Sequence, residues 1–172
     1  MENIVKNIEL IVLDVDGTLT DGSIYIDNNG IETKAFNVKD GFAIVNARKM
    51  GINFAIITGR TSLVVEKRAR ELGIKDLYQG IHNKIEKLDE LLAKYNIDYS
   101  QCAYMGDDIN DISAMEKVAF VGVPADGVEE VKNYAHFIST KNGGKGAVRE
   151  FIDYILKNQG LDIKILDMHK SN

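Results

Sequence analysis

Two acidic residues follow an aliphatic run near the start of the chain. Residues 10–13 read Leu-Ile-Val-Leu, and Asp14-Val15-Asp16 comes directly after them. An aliphatic run without alternation is typical of a strand buried on both faces of a parallel sheet, and such sheets bind ligands at the carboxyl ends of their strands. Two carboxylates one residue apart project the same way and repel each other unless a cation lies between them or one carries a proton. A solvated acidic turn explains an isolated Asp-X-Asp equally well, so the other strand ends must decide.

Two later segments also end in residues that can bind a phosphate group or a metal ion. Residues 52–57 lead into Thr58, and residues 101–105 lead into a loop with Asp107. The further candidates are Lys84, Asp108 and Asp111. Right-handed crossovers bring the ends of these strands to one edge of the sheet. Five converging carboxylates require a divalent cation, and hard oxygen ligands favour Mg²⁺, whose charge complements that of a phosphate.

Some of these candidates also have a purely structural interpretation. Thr58 could cap the helix that follows it, and Lys84 could be an exposed helix residue. The histidines His82, His136 and His169 are scattered along the chain and indicate no zinc site.

Segments with the pattern of strands alternate with segments of helical pattern. Strands are predicted at residues 10–13, 52–57, 77–80, 101–105, 118–121 and 137–138. Helices are predicted at residues 40–50, 61–72, 83–95, 128–133 and 147–156, with another that ends at Lys117. This alternation predicts an α/β fold, a doubly wound parallel sheet with helices on both faces.

A β-hairpin is predicted directly after the first acidic pair, within residues 22–37. Residues 23–26 and 32–36 are β-prone, and they flank the turn sequence Asp27-Asn28-Asn29-Gly30. The segment carries more apolar residues than a free two-stranded arm should, since such an arm is marginal in water. Either the body of the domain or another subunit is expected to cover it.

Length and composition indicate one domain, expected at residues 1–160 with a tail at residues 161–172. The chain has 172 residues, a net charge of -5 and 45% hydrophobic residues. The acidic balance argues against nucleic acid as a partner, and no apolar run approaches the roughly 18 residues that cross a membrane. The polar start lacks the pattern of a signal peptide and Cys102 is the only cysteine, so a cytoplasmic protein is expected.

Four motifs resemble, in order, those of the haloacid dehalogenase superfamily. They are Asp14-Val15-Asp16-Gly17-Thr18, Thr58-Gly59-Arg60, Lys84, and Gly106-Asp107-Asp108-Ile109-Asn110-Asp111. The resemblance implies a Rossmann-like core and phosphoester hydrolysis through an aspartyl-phosphate. Asp14 would be the nucleophile, and Asp16 would be the general acid and base.

The same resemblance implies roles for the remaining motif residues. Mg²⁺ would be held by Asp14, by the main-chain carbonyl of Asp16 and by Asp107. Thr58 and Lys84 would bind the phosphoryl oxygens. Asp108 and Asp111 would support the metal and Lys84.

Further segments, spread over residues 8–160, resemble the 3-deoxy-D-manno-octulosonate 8-phosphate phosphatases. They are Phe36-Asn37-Val38-Lys39-Asp40-Gly41, Ile57-Thr58-Gly59-Arg60, Arg68, Pro124-Ala125-Asp126 and residues 143–150. Those enzymes hydrolyse a small sugar-acid phosphate in lipopolysaccharide precursor synthesis. They are homotetramers without a cap domain, in which neighbouring subunits help to close each site. The gaps between motifs in this chain are likewise too short for a cap domain.

The resemblance also implies which residues contact the substrate. They are Asp16, Asn37, Val38, Lys39, Asp40, Gly41, Gly59, Arg60, Arg68 and Lys84. Two guanidinium groups suit a sugar that carries a carboxylate.

The identity of the sugar and the class of function each have alternatives. Val45 stands where relatives often carry a basic residue, and phosphatases for nine-carbon keto-deoxy sugar acids share much of the pattern, although Arg60 favours the eight-carbon substrate. A phosphoryl-accepting signalling module and an inactive structural subunit are the alternatives from other classes. Asp16 has no place in a signalling receiver, and the complete set of motif residues argues against an inactive subunit.

Overall fold

The structure of the protein, a computed structural model, describes residues 4–161. The strands are β1 (Leu10–Leu13), β2 (Tyr25–Ile26), β3 (Glu32–Thr33), β4 (Asn53–Ile57), β5 (Asp76–Tyr78), β6 (Cys102–Met105), β7 (Phe120–Val123) and β8 (Phe137–Ile138). The α-helices are α1 (Val38–Lys49), α2 (Leu63–Leu72), α3 (Lys84–Tyr95), α4 (Ile112–Met115), α5 (Glu129–Lys132) and α6 (Ala147–Asn158). Short 3₁₀ helices lie at Val5–Asn7, Tyr99–Gln101 and Ile109–Asp111. Apart from Leu161, the predicted tail lies outside the described residues.

Six parallel strands form one sheet in the order β5-β4-β1-β6-β7-β8. Successive residues of β1 point to opposite faces, and both faces are covered. Ile11 and Leu13 pack in one hydrophobic core with α1, α2 and α6, whereas Leu10 and Val12 pack in a second core with α3, α4 and α5. The predicted doubly wound α/β fold is confirmed.

The central strand β1 ends level with its two neighbours, which places the candidate site residues at one edge of the sheet. Leu13 is level with Ile56 of β4 and with Met105 of β6. The main-chain N–H of Asp14 extends the ladder by donating to the carbonyl of Met105 at 3.0 Å. The three strands therefore end together, and the residues that follow them face one another.

Several predicted boundaries are wrong by up to two residues, among them the start of α1 and both ends of β7. Helix α1 begins at Val38 rather than Asp40, because the side chain of Asn37 caps it by accepting from the N–H of Lys39 at 2.8 Å. Strand β7 is Phe120–Val123 rather than residues 118–121, since the apolar run is longer than the strand and gives no signal for its start. The predicted helix that ends at Lys117 is a 3₁₀ turn followed by the four-residue α4.

The hairpin is present, but its paired strands are only two residues each. Asp27 closes its turn by accepting from the N–H groups of Asn29 and Ile31. The apolar side chains of Ile24, Tyr25, Ile26 and Ile31 are between 49% and 63% exposed, so the body of the domain does not cover them. That another subunit covers the hairpin therefore stays a prediction.

Between residues 4 and 161 the chain has no inserted cap domain. Only the hairpin and α1 separate β1 from β4, and only α2, β5, α3 and the 3₁₀ helix Tyr99–Gln101 separate β4 from β6. None of the helices in this range is long and apolar enough to cross a membrane.

Close packing in the first core leads to a stability prediction at Gly122 of β7. A Cβ atom there would lie 2.6 Å from the ring of Phe151, which is itself stacked on Phe120. We expect Gly122→Ala to lower the free energy of unfolding, measured by urea denaturation, by about 1–3 kcal/mol because of overpacking. Phe151→Leu makes room, so the double variant should lose less stability than the sum of the two single variants. Additive losses would contradict this account.

Candidate active site

The carboxyl ends of β1, β4 and β6 surround a cavity of about 160 Å³. It is lined by Asp14, Asp16, Thr58, Gly59, Arg60, Asp108 and Asn110. The cavity thus joins residues from three of the four motifs. Thr58 is buried and is not a helix cap, because the N-cap of α2 is Ser62.

Lys84, the third motif in chain order, is a buried cation between two carboxylates. It is the first residue of α3, and its side chain is 1% exposed. Its Nζ donates to Asp14 Oδ1 at 2.9 Å and to Asp111 Oδ1 at 2.6 Å. Burial by itself lowers the pKa of Lys84, but the charges of Asp14 and Asp111 outweigh that effect and raise it. The lysine therefore stays charged beside Asp14, and the interpretation as an exposed helix residue is wrong.

Asp111 organises the loop after β6 from a fully buried position. Besides Lys84, it accepts from the hydroxyl of Tyr104 at 2.6 Å and from the N–H groups of Asp107 and Asp108 at 3.1 and 3.3 Å. Four donors thus hold one carboxylate. These contacts join Asp111 to Lys84 and to the loop that bears Asp107, while its expected role in supporting the metal and Lys84 stays a prediction.

Tyr104 is a site residue that sequence reasoning missed. It belongs to the buried strand β6, and its hydroxyl points to Asp111. Burial and the charges of Asp111 and Asp14 raise its pKa well above the usual range, so it remains a hydrogen-bond donor. The sequence did offer one indication of this role, a tyrosine within an apolar strand two residues before an acidic loop.

The carboxylates of Asp14, Asp107 and Asp111 crowd together. One oxygen of each lies within 4.8 Å of the others. Burial and the charge of Asp111 raise the pKa of Asp14 to about 7, although Lys84 acts in the opposite direction. Burial and the charges of Asp14 and Asp111 raise the pKa of Asp107 to about 8.

This arrangement fits a divalent cation. When all three carboxylates are ionised, they carry two more negative charges than the single ammonium of Lys84 balances. Asp111 is already engaged by four donors, so Asp14 and Asp107 have free lone pairs to offer. Gly17, at φ +91°, lets the loop after β1 approach this position, since a Cβ there would lie 1.9 Å from Asp107 Oδ2. The oxygen donors and the charge match Mg²⁺.

The carboxylate of Asp16 is contacted by two cations. Lys34, directly after β3 of the hairpin, donates to Asp16 Oδ1. Arg60 Nε lies 3.7 Å from Asp16 Oδ2, and Arg60 also bonds to Glu32 at 2.8 Å. Lys34 and Glu32 are contacts that sequence reasoning missed, because nothing in the hairpin's pattern indicates which side chains turn inward.

None of the residues Asn37–Gly41, which are predicted to contact the sugar, lines the cavity. Asn37 caps α1 and donates to the carbonyl of Gly144 at 3.2 Å. Asp40 is buried and accepts from the N–H of Arg149 at 2.7 Å, and burial raises its pKa to about 6. Val38 is exposed, and Lys39 follows it on the first turn of α1.

Arg68 lies against this segment, between α1 and α2. Its guanidinium is 5.8 Å from the ring centre of Phe36 and occupies the space where Gly41 lacks a Cβ. It also bonds to Glu71 at 3.1 Å. The role of Asn37–Gly41 and Arg68 in sugar binding stays a prediction.

Known proteins resemble this chain over most of its length. The family model of haloacid dehalogenase-like hydrolases matches residues 74–152. The 3-deoxy-D-manno-octulosonate 8-phosphate phosphatase of Escherichia coli (strain K12) is 47% identical over 155 residues, which cover 90% of this chain and 82% of that enzyme. The chain belongs to this phosphatase family.

Solved structures of the family have the same fold. The Moraxella catarrhalis enzyme, in complex with a magnesium ion, a phosphate ion and KDO, is 40% identical with a TM-score of 0.94 over 99% of this chain and 97% of that one. The cobalt-bound Haemophilus influenzae enzyme is 36% identical with a TM-score of 0.88, over 91% and 92% of the two chains. The family resemblance expected from the motifs is confirmed.

The raised pKa values of Asp14, Asp40 and Asp107 predict how the stability of the metal-free protein depends on pH. The folded chain binds these protons more tightly than the unfolded chain, whose Asp pKa is about 3.9. The stability that these groups contribute is complete below about pH 4 and is lost as the pH rises through about 6 to 8. Added Mg²⁺ should therefore raise Tm by several degrees at pH 8.5 and much less at pH 5, measured by scanning calorimetry.

The matched variants are Asp107→Asn, which should lose most of the Mg²⁺ effect, and Asp153→Asn on α6, which should keep it. Asp153 bonds to Arg149 and lies outside the cavity. An equal rise in Tm at both pH values would contradict the site.

Proposed function

We propose that the protein is a Mg²⁺-dependent phosphatase that hydrolyses 3-deoxy-D-manno-octulosonate 8-phosphate to 3-deoxy-D-manno-octulosonate and phosphate. The observation that carries this proposal is the contact of the buried Lys84 with Asp14, beside Asp107 and Asp16, in a chain of this family. The relative from Moraxella catarrhalis was solved with magnesium, phosphate and the sugar acid together, which supports both the metal and the substrate.

Asp14 is the nucleophile. Lys84 holds its Oδ1 and reduces the negative charge that the carboxylate presents to an incoming phosphate. As the bond from Asp14 to phosphorus forms, the bond from phosphorus to the sugar oxygen breaks. Lys84 and the hydroxyl of Thr58 then stabilise the negative charge on the phosphoryl oxygens.

Asp16 moves the protons. It gives a proton to the departing sugar oxygen, and it then takes a proton from the water that attacks the aspartyl-phosphate and frees Asp14. Asp14, Asp107 and the main-chain carbonyl of Asp16 would hold Mg²⁺, which when bound would act as a Lewis acid on the phosphoryl group and offset its repulsion from the nucleophile. Asp111 and Tyr104 keep Lys84 and the loop of Asp107 in place.

The sugar acid is proposed to lie beyond the phosphate. Arg60 reaches the cavity and is half exposed, so it can turn to the substrate carboxylate. Asn37–Gly41 and Arg68 are proposed to complete the sugar pocket.

We further propose a single domain at residues 1–160 that acts in the cytoplasm. Its one cysteine, Cys102, is buried and free, as suits a reducing compartment.

A screen of sugar-acid phosphates tests the substrate. With Mg²⁺, kcat/KM for the eight-carbon 8-phosphate should exceed that for nine-carbon 9-phosphates at least about 10-fold, and a chelator should abolish release of phosphate. Preference for a nine-carbon substrate would replace the proposed sugar but keep the chemistry.

Two variants in the same assay separate the chemical roles. Asp14→Asn should show no turnover because it removes the nucleophile. Asp16→Asn should form a long-lived phosphorylated protein with an aryl phosphate, detected by intact mass, because the water step lacks its base. Full activity of Asp14→Asn would refute the mechanism.

We propose that the chain is a homotetramer assembled through the hairpin. The exposed Ile24, Tyr25, Ile26 and Ile31 form an apolar surface that needs a cover, and a second copy is the partner that the family resemblance suggests. Light scattering should give the mass of four chains. Ile26→Lys should give a smaller species of lower activity, whereas Lys157→Glu on the exposed part of α6 should change neither. A fully active monomer would contradict the proposal.

A further inference from the structure

The hairpin sends one charged side chain into the active site. Lys34 follows β3, and although the hairpin projects from the domain, this side chain is only 1% exposed. Its Nζ donates to Asp16 Oδ1 and lies 3.5 Å from Glu32 Oε1. Ordering and burying a lysine costs side-chain entropy and desolvation, so a fixed lysine here needs compensating contacts. Asp16 and Glu32 provide them.

Asp16 is held from both sides, but its two cations differ in character. Arg60 approaches the other oxygen, Oδ2, at 3.7 Å from a side chain that is 48% exposed. Glu32 links the two cations, because it accepts from Arg60 at 2.8 Å and lies near Lys34. Lys34 is therefore the buried and fixed contact, whereas Arg60 can turn to a ligand.

We propose that Lys34 is a positioning residue for Asp16 and that it makes proton transfer depend on the hairpin. This inference rests on the proposed function, since it assigns Lys34 to the general acid and base of that mechanism. Asp16 is partly exposed at the mouth of the cavity, where a carboxylate can adopt more than one rotamer. Proton transfer requires the carboxyl group within hydrogen-bond reach of the leaving oxygen, and a displacement of about 1 Å can cost about 100-fold in rate.

The hairpin thereby couples two surfaces. Its outer apolar side chains are exposed, while Lys34 and Glu32 reach inward to Asp16 and Arg60. A two-stranded hairpin is marginally stable by itself in water, so its order depends on what covers the outer side. The position of Lys34, and through it the position of Asp16, therefore depends on whether the hairpin is ordered.

The leaving group of the substrate separates positioning of Asp16 from general damage. An alkyl phosphate needs a proton on its departing oxygen, whereas p-nitrophenolate leaves as a stable anion. With saturating Mg²⁺, Lys34→Met should lower kcat/KM for the sugar-acid phosphate and for a simple alkyl phosphate by roughly 10- to 100-fold. For p-nitrophenyl phosphate, kcat/KM should fall less than about 3-fold, because loss of its leaving group needs no acid. Lys34→Arg should recover part of the loss.

The matched control is Lys145→Met. Lys145 is an exposed lysine whose Nζ lies 3.9 Å from Asp21, just after the first motif, so it is a cation near the same loop without contact to Asp16. It should leave both values of kcat/KM unchanged. Equal losses of Lys34→Met on aryl and alkyl phosphates, or no loss on either, would overturn the proposal.

A measurement without activity completes the test. Lys34→Met, Asp16→Asn and the double variant are melted in the absence of metal. The shifts in Tm should be non-additive, because each single variant already breaks the same contact. Additive shifts would also overturn the proposal. If the wild-type protein does not hydrolyse the sugar-acid phosphate but does hydrolyse the simple esters, the proposed substrate is wrong. The comparison of alkyl and aryl phosphates then still tests the role of Lys34 independently.

Discussion

The concentration of negative charge at the carboxyl edge of the sheet is the constraint on which this structure depends. Asp14, Asp107 and Asp111 are brought together in a place where water screens them poorly, and Lys84 neutralises only part of their charge. The raised pKa values of Asp14 and Asp107 are the direct consequence. A bound Mg²⁺ would offset this repulsion, so that a phosphate group, itself anionic, could approach carboxylates that otherwise repel it.

The fold keeps these groups together by burying the elements that carry them. Strand β1 is buried on both faces and level with β4 and β6, so the positions of Asp14 and Thr58 are set by the sheet ladder rather than by flexible loops. Asp111 adds a second constraint, because its carboxylate binds Lys84, Tyr104 and the main chain of the loop that bears Asp107. Removing a partner from such a buried cluster leaves polar groups unpaired, which costs more than the lost bond itself.

The hairpin is the part of the chain that this rigid edge does not stabilise. Its strands are two residues long, and its outer apolar side chains are exposed. Its inner side chain Lys34 nevertheless contacts Asp16, the proposed general acid and base. A site without a cap domain is open to water, so a small element that connects the active site with a neighbouring surface is an economical way to complete it.

Local patterns in the sequence were sufficient for the order of strands and helices and for the residue types at their ends. Asp14, Thr58 and Asp107 could be found because each lies at the end of an apolar run, and parallel topology brings such ends to one edge. Lys84 instead begins the amphipathic helix α3, and only the motif resemblance indicated it. The first turn of α1 was less predictable, because Asn37 and Asp40 are both good cap residues and only the backbone path decides between them. The direction of side chains in the hairpin had no sequence signal at all.

What the sequence by itself determined is the chemistry of the strand ends, since hydrophobic periodicity and motif spacing are local properties of the chain. Only the tertiary structure decided that Tyr104 supports Asp111, that Arg149 of α6 donates its N–H to Asp40, and that Lys34 reaches Asp16. The physical reason is that these contacts depend on how separate elements pack and on which way a loop turns. Neither is encoded in the spacing of residues along one segment.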